Sequence, residues 1–318
     1  MFLYILHRLL QAIPTLFIST VLVFVVVRAM PGDPARVIVG LDASQEVVDA
    51  VRKELGIDQP LPVQYIRWIT RAVHGDFGKS AVNRFSVNEI IRTKFPATLE
   101  LALAALFLAT LISAPLGIIA ALRPGGWADY IISLVASIYL GMPNFWVGLL
   151  YILVFAVNLR ILPPSGRVAF LVNPVEALKH LVLPTITLAI PLAMGQMRFI
   201  RASLLEVLNQ DYIRSARAKG LREHIVIVRH SLRNALVPII TVMGIQFGHL
   251  LGGAVIVESL FGWPGLGRAM VESITNRDYA ITQAGLLYTV TVFVLVNLGV
   301  DLIYGLVDPR IRPGQKRV

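Results

Sequence analysis

The stretch "LALAALFLATLISAPLGIIAAL", residues 101–122, contains no Asp, Glu, Lys or Arg. A helix of that length is about 33 Å long, enough to cross the roughly 30 Å hydrocarbon core of a bilayer. Backbone groups in lipid have to form their hydrogen bonds within their own segment. We therefore predict a transmembrane helix over these residues.

Five other stretches without acidic or basic residues are predicted to be helices of the same kind. Together with residues 101–122, they predict an all-α integral membrane protein with six transmembrane helices. The fourth stretch is short and is extended by Arg198, which can snorkel, and Pro184 and Pro191 predict a bend in it. These five stretches are residues 9–27, 130–159, 181–197, 234–257 and 279–300.

The first stretch has a second interpretation as a secretory signal peptide. It is longer than a usual signal core, however, and no small-x-small cleavage site follows it. We therefore expect it to be retained as the first transmembrane helix.

The composition agrees with a membrane protein, and the basic residues predict its orientation. The chain is 56% hydrophobic and 15% charged, whereas soluble domains have about 25% charged residues. With the N-terminus inside, the inner segments hold 14 Lys and Arg residues and the two short outer loops hold five. Positive charge favours the cytoplasmic side. We therefore expect both termini, and the segment between helices 4 and 5, to be cytoplasmic.

The predicted extracytoplasmic segment, residues 29–97, has the composition of a soluble domain. "SQEVVDAVRKELG" places its valines and Leu55 on one helical face. "SVNEIIRTKFP" has Ser86 and Glu89 in capping-box spacing and predicts a short helix that ends before Pro96. Two interpretations stay open: a folded connector, or a docking surface or lid for something delivered from outside.

A charged stretch, "DYIRSARAKGL" at residues 211–221, lies between the fourth and fifth predicted helices. Asp211 can cap a helix N-terminus, and Gly220 can adopt the left-handed conformation that ends one. We therefore predict a cytoplasmic helix of about two turns over residues 212–219. Such a short helix needs neighbours to be stable.

The predicted apolar face of this short helix holds Tyr212, Ile213 and Ala216. An amphipathic helix of this size is suited to insertion into a groove of a partner protein. Two alternatives remain: a solvated cytoplasmic loop, or a helix that lies on anionic lipid.

The sequence holds no catalytic or metal-binding motif. "GKS" at residues 78–80 lacks the glycine that a phosphate-binding loop needs, because position 73 is Val. The chain has no cysteine, and its six histidines form no metal-ligand pair. His249 is expected to be a hydrogen-bonded packing residue, Asp301 to have a structural partner such as Arg310, and Glu258 to end the fifth helix.

The charged stretch resembles the cytoplasmic loop of ABC importer permeases, in which Glu-Ala-Ala is followed after three residues by Gly. Arg214 takes the position of the Glu, Ser215 and Ala216 those of the two Ala, and Gly220 that of the Gly. Other segments, in order along the chain, resemble the dipeptide and oligopeptide branch, which also includes nickel and glutathione transporters. They are "MPGDP", "GDFGKS", "FPATLELA", "ILPPSGR", "RHSLRNALVP", "VESLFGWPGLGRAMVESITNRDYAI" and "DLIYGLVDPRIR".

The resemblance implies a non-catalytic first permease subunit in the cytoplasmic membrane, without a nucleic-acid partner. Its partners would be a homologous second permease, two cytoplasmic ATPase subunits and an extracytoplasmic solute-binding protein. This chain would bind no cofactor, because ATP and Mg would be bound by the ATPase subunits. The resemblance also implies nine residues that couple the permease to an ATPase: Tyr212, Ile213, Arg214, Ser215, Ala216, Arg217, Ala218, Lys219 and Gly220.

The expected domain organisation has four parts. Residues 1–28 form the N-terminal tail and first helix, and 29–97 the extracytoplasmic helical segment. Residues 98–310 form the permease core with a coupling loop at about 203–233, and 311–318 a cytoplasmic tail. The solute would be a dipeptide or oligopeptide, or alternatively a nickel chelate or glutathione.

Two other classes of protein are weighed against an importer permease. A stand-alone secondary transporter would need a paired ion site in mid-membrane, and the sequence has only isolated candidates. An intramembrane enzyme would need a nucleophile or metal motif, and none is present.

Overall fold

The structure is a computed structural model that describes residues 2–30, 32–40 and 42–307. Arg310 and the predicted tail at residues 311–318 lie outside the described residues, as does the side chain of Asp301. Within the described part, the secondary structure is helical apart from one isolated antiparallel bridge between Lys79 and Ser86.

Most connections between the helices have two to five residues, residues 74–86 and 159–173 form longer ones, and two π-helical segments interrupt the helices. In chain order they are α1 (Phe2–Arg28), α2 (Pro34–Val39), α3 (Gln45–Leu55), α4 (Leu61–Val73), α5 (Val87–Leu122), α6 (Trp127–Gly141), α7 (Asn144–Tyr151), a π-helix (Ile152–Asn158), α8 (Pro174–Leu208), α9 (Asp211–Ala218), α10 (Glu223–Ile225), a second π-helix (Val226–Leu232), α11 (Arg233–Leu260), α12 (Leu266–Thr275) and α13 (Tyr279–Val307).

The six predicted transmembrane segments all appear as apolar helices, but the third is broken. Within the part of the chain that the structure describes, five helices are long and apolar enough to cross a membrane on their own: Leu9–Arg28, Val87–Leu122, Pro174–Leu208, Val242–Leu260 and Tyr279–Val300. The remaining segment consists of Trp127–Gly141 and Asn144–Asn158, which meet at 101°.

The break in the third segment corrects the prediction of one helix over residues 130–159. Met142 is extended, with φ −92° and ψ 136°, and Pro143 is the N-cap of α7. Proline has no N–H to give to the preceding turn, and it disfavours helical geometry in the residue before it. The Met142–Pro143 pair therefore turns the chain instead of continuing α6.

Prolines within other helices do not stop them. The prediction of a short helix ending before Pro96 is wrong, since α5 runs through Pro96 and Pro115. Ser86 is its N-cap but makes no capping bond through its side chain. Membrane helices tolerate proline where neighbouring helices support the backbone; here the Trp263 indole donates a 2.8 Å hydrogen bond to the carbonyl of Ala97.

Small residues hold α5 and α8 close together at the centre of the fold. Ala102, Ala105 and Ala109 of α5 are buried in one core with Ala189 and Ala193 of α8. Small side chains let two backbones approach, which is how membrane helices gain packing energy without a hydrophobic driving force. These two helices therefore form the central pair of the fold.

Glu258 organises the end of the molecule that carries α12, which we call the α12 end. Its buried carboxylate accepts hydrogen bonds from the Thr98 hydroxyl at 2.5 Å and the Arg268 N–H at 2.8 Å. Thr98 in turn accepts from the Leu266 N–H at 2.8 Å. A negative charge at a helix N-terminus is favourable, and a Cβ at Gly265 would overlap the carboxylate. The glycine-rich "GWPGLG" therefore wraps the start of α12 around Glu258.

The opposite end, which carries α9 and which we call the α9 end, is tied by an ion pair. Arg201 of α8 donates two 2.7 Å hydrogen bonds to the carboxylate of Asp129 in α6. Asp129 also accepts from the Gly125 N–H at 2.9 Å. The turn between α5 and α6 is thereby fixed to α8, close to the point where α8 leads into α9.

We predict that Gly117→Ala destabilises the fold. A Cβ at this position would lie 2.8 Å from Cβ of Ile200 and 3.0 Å from the carbonyl oxygen of Met197. Overpacking of this kind costs about 1–3 kcal/mol, against a gain of up to about 1 kcal/mol from helix propensity. Thermal unfolding of the purified protein in detergent should show a lower Tm. The matched control is Gly299→Ala, where the new Cβ would meet nothing within 4 Å; equal Tm values for the two variants would contradict the account.

Candidate coupling site

The predicted short helix exists as α9, with its start one residue earlier than expected. Its N-cap is Gln210, whose carbonyl accepts from the N–H groups of Ile213 and Arg214. The prediction that Asp211 caps the helix is therefore wrong, since Asp211 is its first residue and makes no capping bond. Its negative charge still lies in the first turn, where the helix dipole favours it.

The predicted role of Gly220 in ending α9 is confirmed. Gly220 has φ +77°, in the left-handed region. Its N–H donates to the carbonyl of Arg217 at 2.9 Å, and the Leu221 N–H reaches the carbonyl of Ala216 at 3.4 Å. This is the bond pattern of a Schellman motif, which satisfies carbonyls that the helix end leaves free.

The apolar face of α9 points into this chain instead of outward. Ile213 is fully buried and Ala216 is 8% exposed, and both pack against Val226 in the second π-helix. Tyr212 is 44% exposed. The predicted docking face of these three residues is thus divided: two of them anchor α9, and only Tyr212 is accessible.

Two polar contacts reinforce this anchor on either side. The Tyr212 hydroxyl accepts a 2.9 Å hydrogen bond from the side-chain amide of Asn234. Arg217 donates to both carboxylate oxygens of Glu223, at 2.7 and 3.2 Å. Arg217 holds the pKa of Glu223 below its ordinary value, so that the pair stays charged at neutral pH. A helix too short to be stable alone is therefore fixed at three points to the chain that follows it.

The chain that follows α9 is continuous with the fifth transmembrane segment. α10, the second π-helix and α11 follow one another without an intervening loop, from Glu223 to Leu260. The Ser231 hydroxyl donates a 3.0 Å bond to the carbonyl of Val226, five residues earlier, within the π-helical turn. α9 therefore packs against the start of the helical stretch that contains α11.

The outward face of α9 is polar and mainly cationic. Arg214 is largely exposed, and its closest acid is Asp211 at 3.7 Å, itself almost fully exposed. An exposed pair at that distance contributes little, so the guanidinium is available to a partner. The exposed members of the predicted set are Tyr212, Arg214, Ser215, Arg217, Ala218, Lys219 and Gly220.

The residues that α9 packs against could not be identified from the sequence. Val226, Glu223 and Asn234 lie beyond the glycine that ends α9, and no pattern in their own segment marks them. Only the fold of the chain at Gly220 brings them back against α9. Among the described residues no group of three or more His, Asp or Glu side chains is placed to bind a metal.

His249 differs from its predicted packing role. It lies on an exposed face of α11, and within the described chain it makes no hydrogen bond. The same face carries Ile245, Gly252, Gly253 and Ile256, at helical spacing. The exposed side chains of α1 between Leu22 and Val26, by contrast, are all apolar.

Comparison with known families identifies the class of protein. A family model described as "Binding-protein-dependent transport system inner membrane component" matches residues 113–313. A second, described as the N-terminal part of the membrane component of the same kind of system, matches residues 1–102. The chain belongs to this family and is a multi-pass inner-membrane permease subunit of an ABC importer.

Similar proteins come from enterobacteria. The chain is 44% identical over 309 residues to the glutathione transport system permease protein GsiC of Escherichia coli (strain K12), covering 97% of this chain and 98% of that protein. GsiC of Salmonella paratyphi A shows the same identity and coverage.

Among solved structures, the chain resembles the MetNI methionine ABC transporter in an inward-facing conformation. The TM-score is 0.57 at 18% identity, with 69% of this chain and 96% of that chain covered. An amino acid ABC transporter has a TM-score of 0.51 at 17% identity, with 70% and 94% covered. At such identities, these comparisons support the fold.

We predict that exchanging the charges of Arg217 and Glu223 will show whether Arg217 pairs with Glu223 of this chain or with a residue of a partner subunit. Each single change, Arg217→Glu or Glu223→Arg, places like charges together and should lower ATP-driven uptake about two- to fivefold, the equivalent of up to about 1 kcal/mol for an exposed pair. The double variant restores the pair and should recover most of the uptake by vesicles that contain the complete transporter.

The matched control for this exchange is Arg222→Glu. Arg222 adjoins Glu223 but forms no ion pair within the described chain. Its defect should not be rescued by Glu223→Arg. If the double variant lowers uptake by as much as the two single defects combined, the Arg217–Glu223 pair does not support uptake. Arg217 would then interact with another group.

Proposed function

We propose that this chain is the permease through which an importer moves small peptides across the cytoplasmic membrane, and that ATPase subunits drive it through α9. The observation that carries the proposal is the structure of α9. This helix has a cationic, accessible outer face and a buried inner face fixed to the start of α11. It is therefore suited to receive a force on one face and to transmit it through the other.

The proposed partners follow from the family. A homologous second permease would complete the solute path, two ATPase subunits would bind ATP and Mg at the α9 end, and a solute-binding protein would deliver solute at the α12 end. We place α9 and both chain termini in the cytoplasm, because the α9 end carries most of the basic residues outside the long segment after α1.

The exposed stripe on α11 is proposed to face the second permease. Ile245, His249 and Ile256 are exposed in this subunit, with Gly252 and Gly253 between them. A histidine and two open glycines are unlike a surface built for lipid, and small residues suit the approach of another helix. The solute path would then run along the helix that α9 moves.

The proposed coupling is a change of equilibrium between two arrangements of the spans. ATP-driven closure of the ATPases would displace α9, and the anchor at Ile213 and Val226 would carry the displacement into α11. Coupling between distant sites requires an element whose position both sites influence. The continuous helix from Glu223 to Leu260 would be that element.

We infer a small peptide as the solute because the chain matches glutathione permeases over nearly its whole length and resembles the peptide branch in its motifs. Glutathione, dipeptides and oligopeptides are therefore the solutes to test, with a nickel chelate as the alternative. Selection among them would rest largely with the solute-binding protein.

Uptake by proteoliposomes that contain all the proposed subunits tests this function. We expect accumulation of labelled peptide or glutathione that requires ATP on the α9 side and is unaffected by collapse of ion gradients. Uptake that follows an ion gradient and ignores ATP would identify a secondary transporter instead. ATP-driven uptake of a nickel chelate alone would replace the peptide as the solute.

A pair of substitutions tests the two faces of α9 separately. Arg214→Glu should lower the amount of ATPase that co-purifies at least about tenfold, or roughly 1.4 kcal/mol, without changing Tm, because like charges across an interface are costly. Ile213→Asp should lower Tm, because it buries a carboxylate against Val226. Ile213→Val is the control and should retain both properties. Normal ATPase binding by Arg214→Glu would contradict the proposed docking face.

A further inference from the structure

The polar segment between α1 and α5 contains a helix, α4 (Leu61–Val73), whose exposed surface is largely apolar. Its 13 residues are too few to cross a bilayer, and a helix of this length is typical of a protein core or of the membrane interface. α4 is not a core helix, since Ile66 is 62% exposed and Val73 is 77% exposed. The environment of this apolar surface therefore lies outside the chain.

At 3.6 residues per turn, the side chains of α4 fall on three faces. The inner face, toward the rest of the chain, holds Gln64, Tyr65 and Trp68. The basic flank holds Arg67 and Arg71, both exposed. On the opposite side lies a flank that we call the apolar edge. It consists of Pro62, Ile66, Ile69 and Val73, of which only Ile69 is half-buried, and Val63 and Thr70 separate it from the basic flank.

The basic flank faces a polar environment. Arg67 and Arg71 border an open pocket between the ends of α1 and α13 and residues 54–86. Arg71 also pairs with Asp76 at 2.9 Å. No member of the apolar edge lines this pocket, so the two flanks have different surroundings. A helix with a basic flank and an apolar flank has the pattern of a helix that lies in the membrane interface.

The inner face fixes the depth of α4 along α1. The Tyr65 hydroxyl is 2.8 Å from the Thr20 hydroxyl. Thr20 lies eight residues, or about 12 Å, before Arg28 at the end of α1. Arg67, by contrast, borders the pocket that Arg28 also lines. α4 therefore lies beside the last turns of a helix that is long and apolar enough to cross the membrane, at the level where that span ends.

α4 crosses α1 instead of running along it. Tyr65 and Trp68, on successive turns of α4, both lie against Phe24 of α1, with ring centres 5.4 and 6.0 Å from that of Phe24. A helix that crosses a span near its end lies along the membrane surface. Tyr and Trp are enriched at this boundary because each combines an apolar ring with a polar group.

The exposed surface of α3 shows that the apolar edge is particular to α4. α3 belongs to the same polar segment, but its exposed side chains are mainly charged or amide groups: Gln45, Glu46, Asp49, Lys53 and Glu54. This is the surface of a helix in water. The exposed side chains near the end of α1, in contrast, are Leu22, Val25 and Val26. The apolar edge of α4 thus matches the exposed surface of the span on which α4 lies.

We propose that the apolar edge of α4 is immersed in the lipid of the leaflet at the α12 end, while Arg67 and Arg71 stay in the polar pocket. A second subunit could also cover apolar side chains, but a basic flank opposite a narrow apolar edge fits a boundary between lipid and water. α4 packs on α1, α1 on α13 and α13 on α11. α4 is therefore two helices removed from the stripe proposed to face the second permease. The inference does not depend on the solute.

Spin labels on single cysteines test the immersion of α4 in the complete transporter, in lipid nanodiscs without ATP. Collisions of the label with dissolved oxygen report hydrocarbon, and collisions with a neutral gadolinium chelate report water. We expect the ratio of oxygen to gadolinium collisions to be at least about tenfold higher at Ile66→Cys and Val73→Cys than at Arg67→Cys, because a polar chelate is excluded from hydrocarbon. Arg67 adjoins Ile66 and is also exposed, so it is the matched control. Glu46→Cys in α3 gives the value for water.

Two results of this experiment would overturn the proposal. Gadolinium collisions at positions 66 and 73 as frequent as at position 46 would place the apolar edge in water. Rare collisions with both reagents would place it against another subunit.

A charge on the apolar edge tests the same contact by a second route. Ile66→Asp should raise the gadolinium collisions of a label at Val73→Cys at least about threefold, because a carboxylate is expelled from hydrocarbon and takes α4 with it. Arg67→Ser, on the basic flank, should leave these collisions unchanged. An equal effect of the two substitutions would contradict the immersion of the apolar edge.

Discussion

The contact of Ile213 and Ala216 with Val226 is the interaction on which the position of α9, and with it the proposed coupling, depends. A two-turn helix has too few internal hydrogen bonds to persist alone in water, so α9 exists because this apolar contact and its two polar neighbours hold it. In the proposed coupling, the same contact would also transmit a force applied to α9. Because Val226 begins a π-helix that continues into α11, that force would reach a transmembrane helix without passing through a loop.

The opposite end of α11 is just as firmly connected. Glu258, near its end, binds the first turn of α12 and Thr98 of α5 through hydrogen bonds to a buried carboxylate. The carboxylate of Glu258 can be buried without a neighbouring cation because it accepts several hydrogen bonds and lies at a helix N-terminus. α11 thus connects the segment that packs against α9 at one end to α5 and α12 at the other.

Much of the fold follows from the sequence alone, because the absence of charge over 20 residues is a strong constraint in lipid. The spans could be predicted in this way, whereas the helix at residues 212–219 and its end at Gly220 are predicted from local capping and turn signals. The break at Pro143 and the continuation through Pro96 could not, since both are prolines and only tertiary support distinguishes them. That Ile213 is buried within this chain could also not be predicted. An apolar helix face can pack against a partner protein or against a residue of its own chain, here Val226.

In the proposed mechanism, α9 and α11 move as one body. Spin labels on paired cysteines in this cysteine-free chain measure it most directly, in the complete transporter with and without bound ATP. We expect the distance from Ser215→Cys in α9 to Ser259→Cys in α11 to stay constant, while the distance from Ser215→Cys to Leu111→Cys in α5 changes. A changed distance between positions 215 and 259, with an unchanged distance between 259 and 111, would mean that α9 moves alone and would refute the proposed coupling.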